Sequence, residues 1–290
     1  MIPPPYKYWL PLPAIIFWGA SFIATKYLLD ELTPEAIISM RLILAIILLS
    51  LIAFYTKKDF TINLKNHLWI LLLALIAVFH LWIQVTGLKF TTASNTGWII
   101  GTAPIFMALL GLIFFKEKLT AIKIAGIVLA MIGLLLLVGK GNITNIDLIK
   151  NKGDLLVLSS SFTWGIYSMI NKKVSLNYSP MMTILYLFIM MAVIILPFNF
   201  NSITFNAVVH LSTIGWISIL FLGLLCSGAA YVIWAYALRD MESAKVGAFL
   251  YFEPFVTVIS AWLFLREEIT LLMLLSGLII TAGVFLVNKD

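Results

Sequence analysis

Apolar residues run along the chain in blocks of about twenty, separated by short polar punctuation. Ten blocks are legible: Trp9 to Leu29, Pro34 to Tyr55, His67 to Gly87, Thr91 to Phe115, Thr120 to Val138, Asp154 to Asn171, Pro180 to Phe198, Ile214 to Leu238, Ser243 to Leu265 and Thr270 to Val287. A helix needs about 20 mostly apolar residues to cross the hydrocarbon of a bilayer. Between the blocks stand turn and cap signals: Thr33-Pro34, Asn63 to Asn66, Ser179-Pro180 and Asn199 to Ser202. No stretch alternates apolar and polar over about ten residues, so a transmembrane barrel is not expected. Helices satisfy their own backbone in lipid, and the pattern predicts an all-α polytopic membrane protein with ten transmembrane helices. The first block has no A-x-A site before a polar domain and is followed by further blocks, so it is expected to stay rather than be cleaved.

The chain also repeats itself. Adding 150 to positions 87–137 places Leu88-Lys89 on Leu238-Arg239, Gly97 on Gly247, Pro104 on Pro254 and Gly133 on Gly283. Under the same shift the run Phe114 to Thr120 falls on Phe264 to Thr270. Earlier in each copy the shift is 146, with Trp18-Gly19 on Trp164-Gly165 and Lys26 on Lys172. The expected organisation is a first five-helix repeat at 1–140, a polar connector at 141–152 and a second repeat at 153–290. Five is odd, so the second copy enters the membrane upside down. Inverted repeats of this kind are a transporter architecture.

Composition removes the other broad classes. Hydrophobic residues make up 62% of the chain and charged residues 11%, with mean hydropathy +1.07. Soluble domains have more than twice the charge, so soluble enzymes, disordered scaffolds and nucleic-acid binders are excluded as first readings. The net charge of +6 fits basic cytoplasmic loops as well as it fits any anionic partner. With the N-terminus inside, twelve Lys and Arg fall on the cytoplasmic side and seven outside. That count predicts both termini in the cytoplasm of a cell inner (plasma) membrane. The single cysteine, Cys226, excludes a disulfide framework. The chain holds no G-x-x-x-x-G-K-[ST] and no H-E-x-x-H, and His67, His80 and His210 are scattered. No cofactor, metal or enzyme activity is expected; the partners are a small-molecule substrate and the bilayer, with no nucleic acid and no required oligomer.

Several motifs carry a resemblance. Trp18-Gly19, Arg41, the series Ala93, Pro104, Glu117 to Thr120, Gly126 and Gly133, its echo Ala244, Pro254, Glu267 to Thr270, Gly277 and Gly283, and the run Trp234 to Arg239 resemble EamA-type members of the drug/metabolite transporter superfamily. The resemblance covers nearly the whole chain. It implies a central cavity lined by both halves and export of small metabolites. The pattern departs at two places: Arg41 has no counterpart, because Leu187 stands there, and Ala103 is opposite Glu253.

Helical spacing selects the candidate site. Trp18, Ser21, Phe22 and Thr25 share one face, and Trp164, Tyr167, Ser168 and Asn171 repeat the spacing in the other half. These two aromatic and polar faces are expected to wall one substrate cavity. His80 and Gln84 in the third block, and Tyr231 and Trp234 in the eighth, are placed with them, as is Trp98. An imidazole titrates near neutrality and suits proton exchange, though His80 could equally be a structural donor. Glu253 is the one acidic residue placed deep in a block. If it takes and releases a proton as the conformation switches, it couples transport to protons; the alternative is a glutamate satisfied by neighbours. Pro104 and Pro254 are expected hinges, since proline weakens a helix locally. Arg41 could meet a substrate carboxylate, but reads rather as a structural ion pair with Glu35 or Glu31 or as an interface snorkel, and Lys26 and Lys172 read as interface anchors. Glu117 with Thr120, and Glu267 with Thr270, read as hairpin fasteners at helix starts. The paired glycines read as helix contacts.

Overall fold

A computed structural model describes residues 9–58, 64–138, 151–199, 202–265 and 271–289. Most of the 141–152 connector, the charges Lys7, Lys140, Lys150 and Arg266, and the fastener Glu267 with Thr270 lie outside the described residues. Among the described residues every regular element is helical. In chain order they are α1 Leu12–Leu28, α2 Pro34–Tyr55, α3 Leu64–Lys89, α4 Ala93–Ile100, α5 Ala103–Phe115 and α6 Ala121–Val138. There follow α7 Lys152–Ser175, α8 Pro180–Ile195, α9 Ser202–Val209, α10 Thr213–Leu220, α11 Ala230–Asp240, α12 Ser243–Ala248, α13 Glu253–Leu265 and α14 Leu271–Asn288. A π-helical segment, Phe221–Ala229, joins α10 to α11, and a 3₁₀ turn, Phe249–Phe252, joins α12 to α13.

Among the described residues, six helical runs are long and apolar enough to cross a membrane: Pro34–Tyr55, Leu68–Phe90, Ala93–Phe115, Pro180–Asn199, Thr213–Asp240 and Ser243–Phe264. Leu12–Leu28, Ala121–Leu136 and Leu275–Asn288 are apolar but shorter. The α7 helix is in neither group. Its Ser160, Ser161, Ser168 and Asn171 are completely buried, so these polar residues face other helices rather than the exterior. The exterior is apolar: Phe54, Ile113, Val193 and Leu278 are all more than 60% exposed. A large apolar surface of this kind suits lipid contact.

Capping chemistry sets several helix starts. Thr33 accepts from the Ala36 N–H ahead of Pro34, and Thr92 accepts from the Asn95 N–H. Asn151 and Asp154 form a capping box at the start of α7. Both expected hinge prolines open a helix: Pro104 lies in the first turn of α5, after the Gly101-Thr102 break, and Pro254 in the first turn of α13, after the 3₁₀ turn. At that position the missing N–H has no helical partner to lose.

The two halves cross one another reciprocally. A Cβ on Gly19 of α1 would sit 2.7 Å from Val256 Cβ and 2.9 Å from the Glu253 carbonyl, both on α13. A Cβ on Gly165 of α7 would sit 3.2 Å from Phe106 Cβ, on α5. Phe106 and Val256 are themselves related by the shift of 150 residues. So each Trp-Gly helix lies against the proline-bearing helix of the other half. Gly126 of α6 and Gly283 of α14 make a further close crossing: a Cβ on either would stand 2.7 Å from the carbonyl oxygen of the other.

Candidate substrate site

The two Trp-Gly helices aim their tryptophans at one point. The Trp18 and Trp164 rings meet edge to face, with centroids 5.0 Å apart. Tyr231 of α11 closes on both, at 5.5 Å from Trp18 and 5.8 Å from Trp164. Tyr167 stacks on Trp164 at 4.8 Å, and Trp234 lies 5.3 Å from Trp18. His80 reaches in from α3, its ring 5.1 Å from Trp164. Its Nδ1 is 2.9 Å from the Ser160 carbonyl. A carbonyl only accepts, so Nδ1 carries the hydrogen and Nε2 is left as an acceptor.

These rings border a cavity of about 30 Å³, room for a water or two and no more. Trp18, Ser21, Phe22, His80, Gln84, Trp164, Tyr231 and Glu253 line it. Tyr167 and Trp234 stand behind Trp164 and Trp18. Trp234 Nε1 donates to Ser168 Oγ at 3.3 Å. Asn171 donates to the Tyr167 hydroxyl at 3.2 Å and accepts from Ser175, so it braces the wall rather than facing the cavity. Thr25 is buried on α1 and Trp98 half-buried on α4; neither lines the cavity. Trp98 Nε1 has no hydrogen-bond partner among the described residues.

Arg41 requires a correction. It is 4% exposed and lines the cavity, so it does not snorkel. Among the described residues it makes no ion pair; its Nε donates to Ser227 Oγ at 2.8 Å. The π-helical segment explains the placement. A π turn is wider than an α turn and shifts its carbonyls out of the α register. The Cys226 carbonyl accepts from Trp18 Nε1 at 2.9 Å, and the next residue, Ser227, holds Arg41. Gly223 and Gly228 let α2 press close: a Cβ there would stand 2.6 Å from Leu44 and 2.8 Å from Leu48. Leu44 and Leu48 follow Arg41 on its own helix face. The available signal is a small polar residue between two glycines, Gly223, Ser227 and Gly228, in an otherwise apolar block. Leu81, Ile100 and Leu250 complete the lining and carry no signal beyond apolarity.

Lys26 and Lys172 are not interface anchors either. Lys172 is buried and ion-paired with Glu117 at 2.6 Å. It also donates to the Met241 carbonyl at 2.9 Å. Glu117 in turn accepts from the backbone N–H and the hydroxyl of Ser243. So Glu117 fastens α12 and α7 rather than its own hairpin, while Thr120 caps α6 by accepting from the Lys123 N–H. Glu117 lies between α5 and α6. Burial alone would raise its pKa, but hydrogen bonds from Lys172 and Ser243 and the Lys172 charge outweigh burial and hold it below the usual carboxylate value. Lys123 and Glu242 form a second ion pair nearby. Lys26 donates to the carbonyls of Leu88 at 2.9 Å and Thr91 at 2.8 Å. Thr91 and Met241 correspond under the shift of 150, so the two lysines hold matching carbonyls. Beside Lys26, an open recess of about 300 Å³ is lined by Tyr27, Asp30 and Thr91 to Ser94.

An all-helical chain with an apolar exterior, and a polar, aromatic cavity between two matching halves, has the makings of a membrane transporter. The EamA-like transporter family matches residues 7–139 and again 151–289. The chain belongs to this family. A relative in Archaeoglobus fulgidus named an uncharacterized transporter is 32% identical over 278 residues, covering 94% of this chain and 93% of its own. YoaV of Bacillus subtilis, also named an uncharacterized transporter, is 29% identical, covering 93% of this chain and 92% of its own. A protein of Escherichia coli named a probable amino-acid metabolite efflux pump is 26% identical, covering 96% of this chain and 93% of its own. A solved crystal structure shares the fold with TM-score 0.76 at 13% identity, over 97% of this chain and 95% of that one.

Proposed function

We propose that the protein is a secondary transporter that exports small metabolites, amino acids or amphipathic aromatic compounds, by alternating access. The observation that carries the reading is the edge-to-face contact of Trp18 with Trp164 at 5.0 Å. It puts one residue of each family match on the wall of one buried cavity. In this reading ten helices cross the inner membrane as two inverted five-helix repeats, 1–140 and 153–290, with both termini in the cytoplasm. The reciprocal seating of Gly19 on α13 and Gly165 on α5 supports the inversion. The recess at Lys26 then faces outward, and the Lys172–Glu117 pair closes the cytoplasmic side. The naming of the E. coli relative as a probable amino-acid metabolite efflux pump supports the substrate class. Pro104 and Pro254 serve as hinges where their spans are interrupted, and Glu253 as the proton-coupling group.

Reconstituted vesicles test this. A coupled exporter accumulates a labelled amino acid against its gradient when a pH gradient is imposed, and Glu253→Gln abolishes the accumulation. Equilibration without accumulation in the wild type identifies a passive facilitator instead. Undiminished pH-driven accumulation in Glu253→Gln removes Glu253 as the coupling group.

A further inference from the structure

Among the described residues, three of the polar groups at the cavity that lack full protein partners bear on its ligand. Arg41 uses only its Nε, toward Ser227; its two terminal guanidinium nitrogens bond to no described residue. Glu253 is 3% exposed, and its carboxylate makes no hydrogen bond or ion pair with any described residue. Trp164 Nε1 is buried and has no partner among the described residues. Ions removed from water are costly unless paired, and ionisable residues inside a membrane protein mark substrate paths. Arg41 and Glu253, a base and an acid, line the same cavity, yet among the described residues no ion pair joins them. An ion pair between them would have been the simplest way to lower that cost.

We propose that Arg41 and Glu253 are the two poles of an α-amino-acid site, a reading that rests on the transport function above. Arg41 binds the substrate carboxylate through its terminal nitrogens, in the planar two-pronged geometry guanidinium favours. Glu253 binds the α-ammonium. The rings of Trp18, Trp164 and Tyr231 face the substrate side chain, which is therefore apolar or aromatic. A zwitterion neutralises both poles at once and adds no net charge to the cavity. A lone organic cation would satisfy Glu253 but leave Arg41 bare and repelling it; a lone carboxylate would do the reverse. Ser227 is a positioning residue, since it orients Arg41 from behind. Because the cavity spans only about 30 Å³ as it stands, the aromatic rings must part to admit the ligand.

The test compares solutes that differ by one pole. Purified full-length protein in lipid nanodiscs is titrated with L-phenylalanine, hydrocinnamate (no amine) and phenethylamine (no carboxylate), and then with L-leucine, isocaproate and isoamylamine. Thermal stabilisation is read as apparent affinity. The wild type is expected to bind at least one amino acid about tenfold or more tightly than either of its truncated partners, the scale of a lost charge-assisted contact. Glu253→Gln should weaken the amino acid and leave the carboxylic acid bound as well as before or better. Arg41→Gln should weaken the amino acid and leave the amine bound as well as before or better. If Arg41→Gln does not fold, Arg41→Lys keeps the charge, loses the fork, and should give an intermediate affinity. Equal wild-type affinity for an amine or an acid overturns the assignment, and so does stabilisation by none of the six solutes or an equal loss for all solutes in Glu253→Gln. Vesicle flux separates this from the transport reading. Movement of phenethylamine but not phenylalanine removes the zwitterion site and keeps the transporter. Pole-dependent binding with no flux keeps the site and removes transport.

Discussion

Lys172 and Glu117 meet at 2.6 Å, and they come from different copies of the family repeat. The ion pair therefore ties the loop after α5 to the end of α7, and through Ser243 to the start of α12. Taking away one partner leaves the other buried and uncompensated. Lys172→Met is expected to lower unfolding stability by ~3–5 kcal/mol, and Lys172→Met with Glu117→Met by clearly less. Denaturation of the three proteins in nanodiscs decides it; a single variant as stable as the wild type removes the pair as a structural tie.

The same carboxylate gives a pH signature. Glu117 sits below its usual 4.5 in the folded protein and returns to it on unfolding. Its contribution to stability is thus complete above that usual value and is lost as pH falls through the lower, folded one. Melting temperature followed from neutral to acid should drop in this window for the wild type. Glu117→Gln should start lower at neutral pH and lose less on acidification; parallel curves would contradict the assignment.

Two tryptophans at one cavity should respond differently to the same change. Trp18→Phe keeps the ring but strips the Cys226 carbonyl of its donor, at a cost of about 1–3 kcal/mol in stability. Trp164 Nε1 has no partner among the described residues, so Trp164→Phe loses ring volume but no hydrogen bond, should cost less stability than Trp18→Phe, and should show its effect in ligand affinity. Melting curves alongside binding isotherms separate the two. An equal stability loss in both variants would mean that the indole N–H of Trp164 is satisfied within the protein.

Gly19 and Gly165 also make unequal demands. A methyl at Gly19 meets the Val256 Cβ and the Glu253 carbonyl, both near the rigid backbone, below 3.0 Å. A methyl at Gly165 first meets the flexible tip of Leu110, at 3.0 Å. Gly19→Ala should cost about 1–3 kcal/mol through overpacking, and Gly165→Ala less. The reverse order in a chemical denaturation series would show that α13 yields more readily than α5.

Periodicity carries much of this arrangement. The tryptophan faces of α1 and α7 share a helical spacing, and one buried stripe per helix is enough to predict that they meet. The apolar runs likewise mark the helices. Arg41 escapes such a reading because a single helix gives its direction only up to rotation. Ser227, which holds it, lies 186 residues away, on a turn whose π geometry no local pattern announces. Lys172 escapes for a related reason: a lysine at a helix end looks the same whether it reaches water or a carboxylate brought in from the other copy. The polar α7 blurs the hydropathy signal because most of its serines are buried against neighbouring helices, bonded to their own turn or, as with Ser161 and Ser168, across to another helix, a fact of packing and not of composition.

The exchange of partners between Gly19 and Val256, and between Gly165 and Phe106, reaches beyond the site. Neither half contains the groove filler for its own tryptophan helix, so each behaves as one subunit of a dimer whose partner happens to be covalently attached. Severed at the connector, the two fragments are expected to complement one another when produced together, and to be degraded when produced apart.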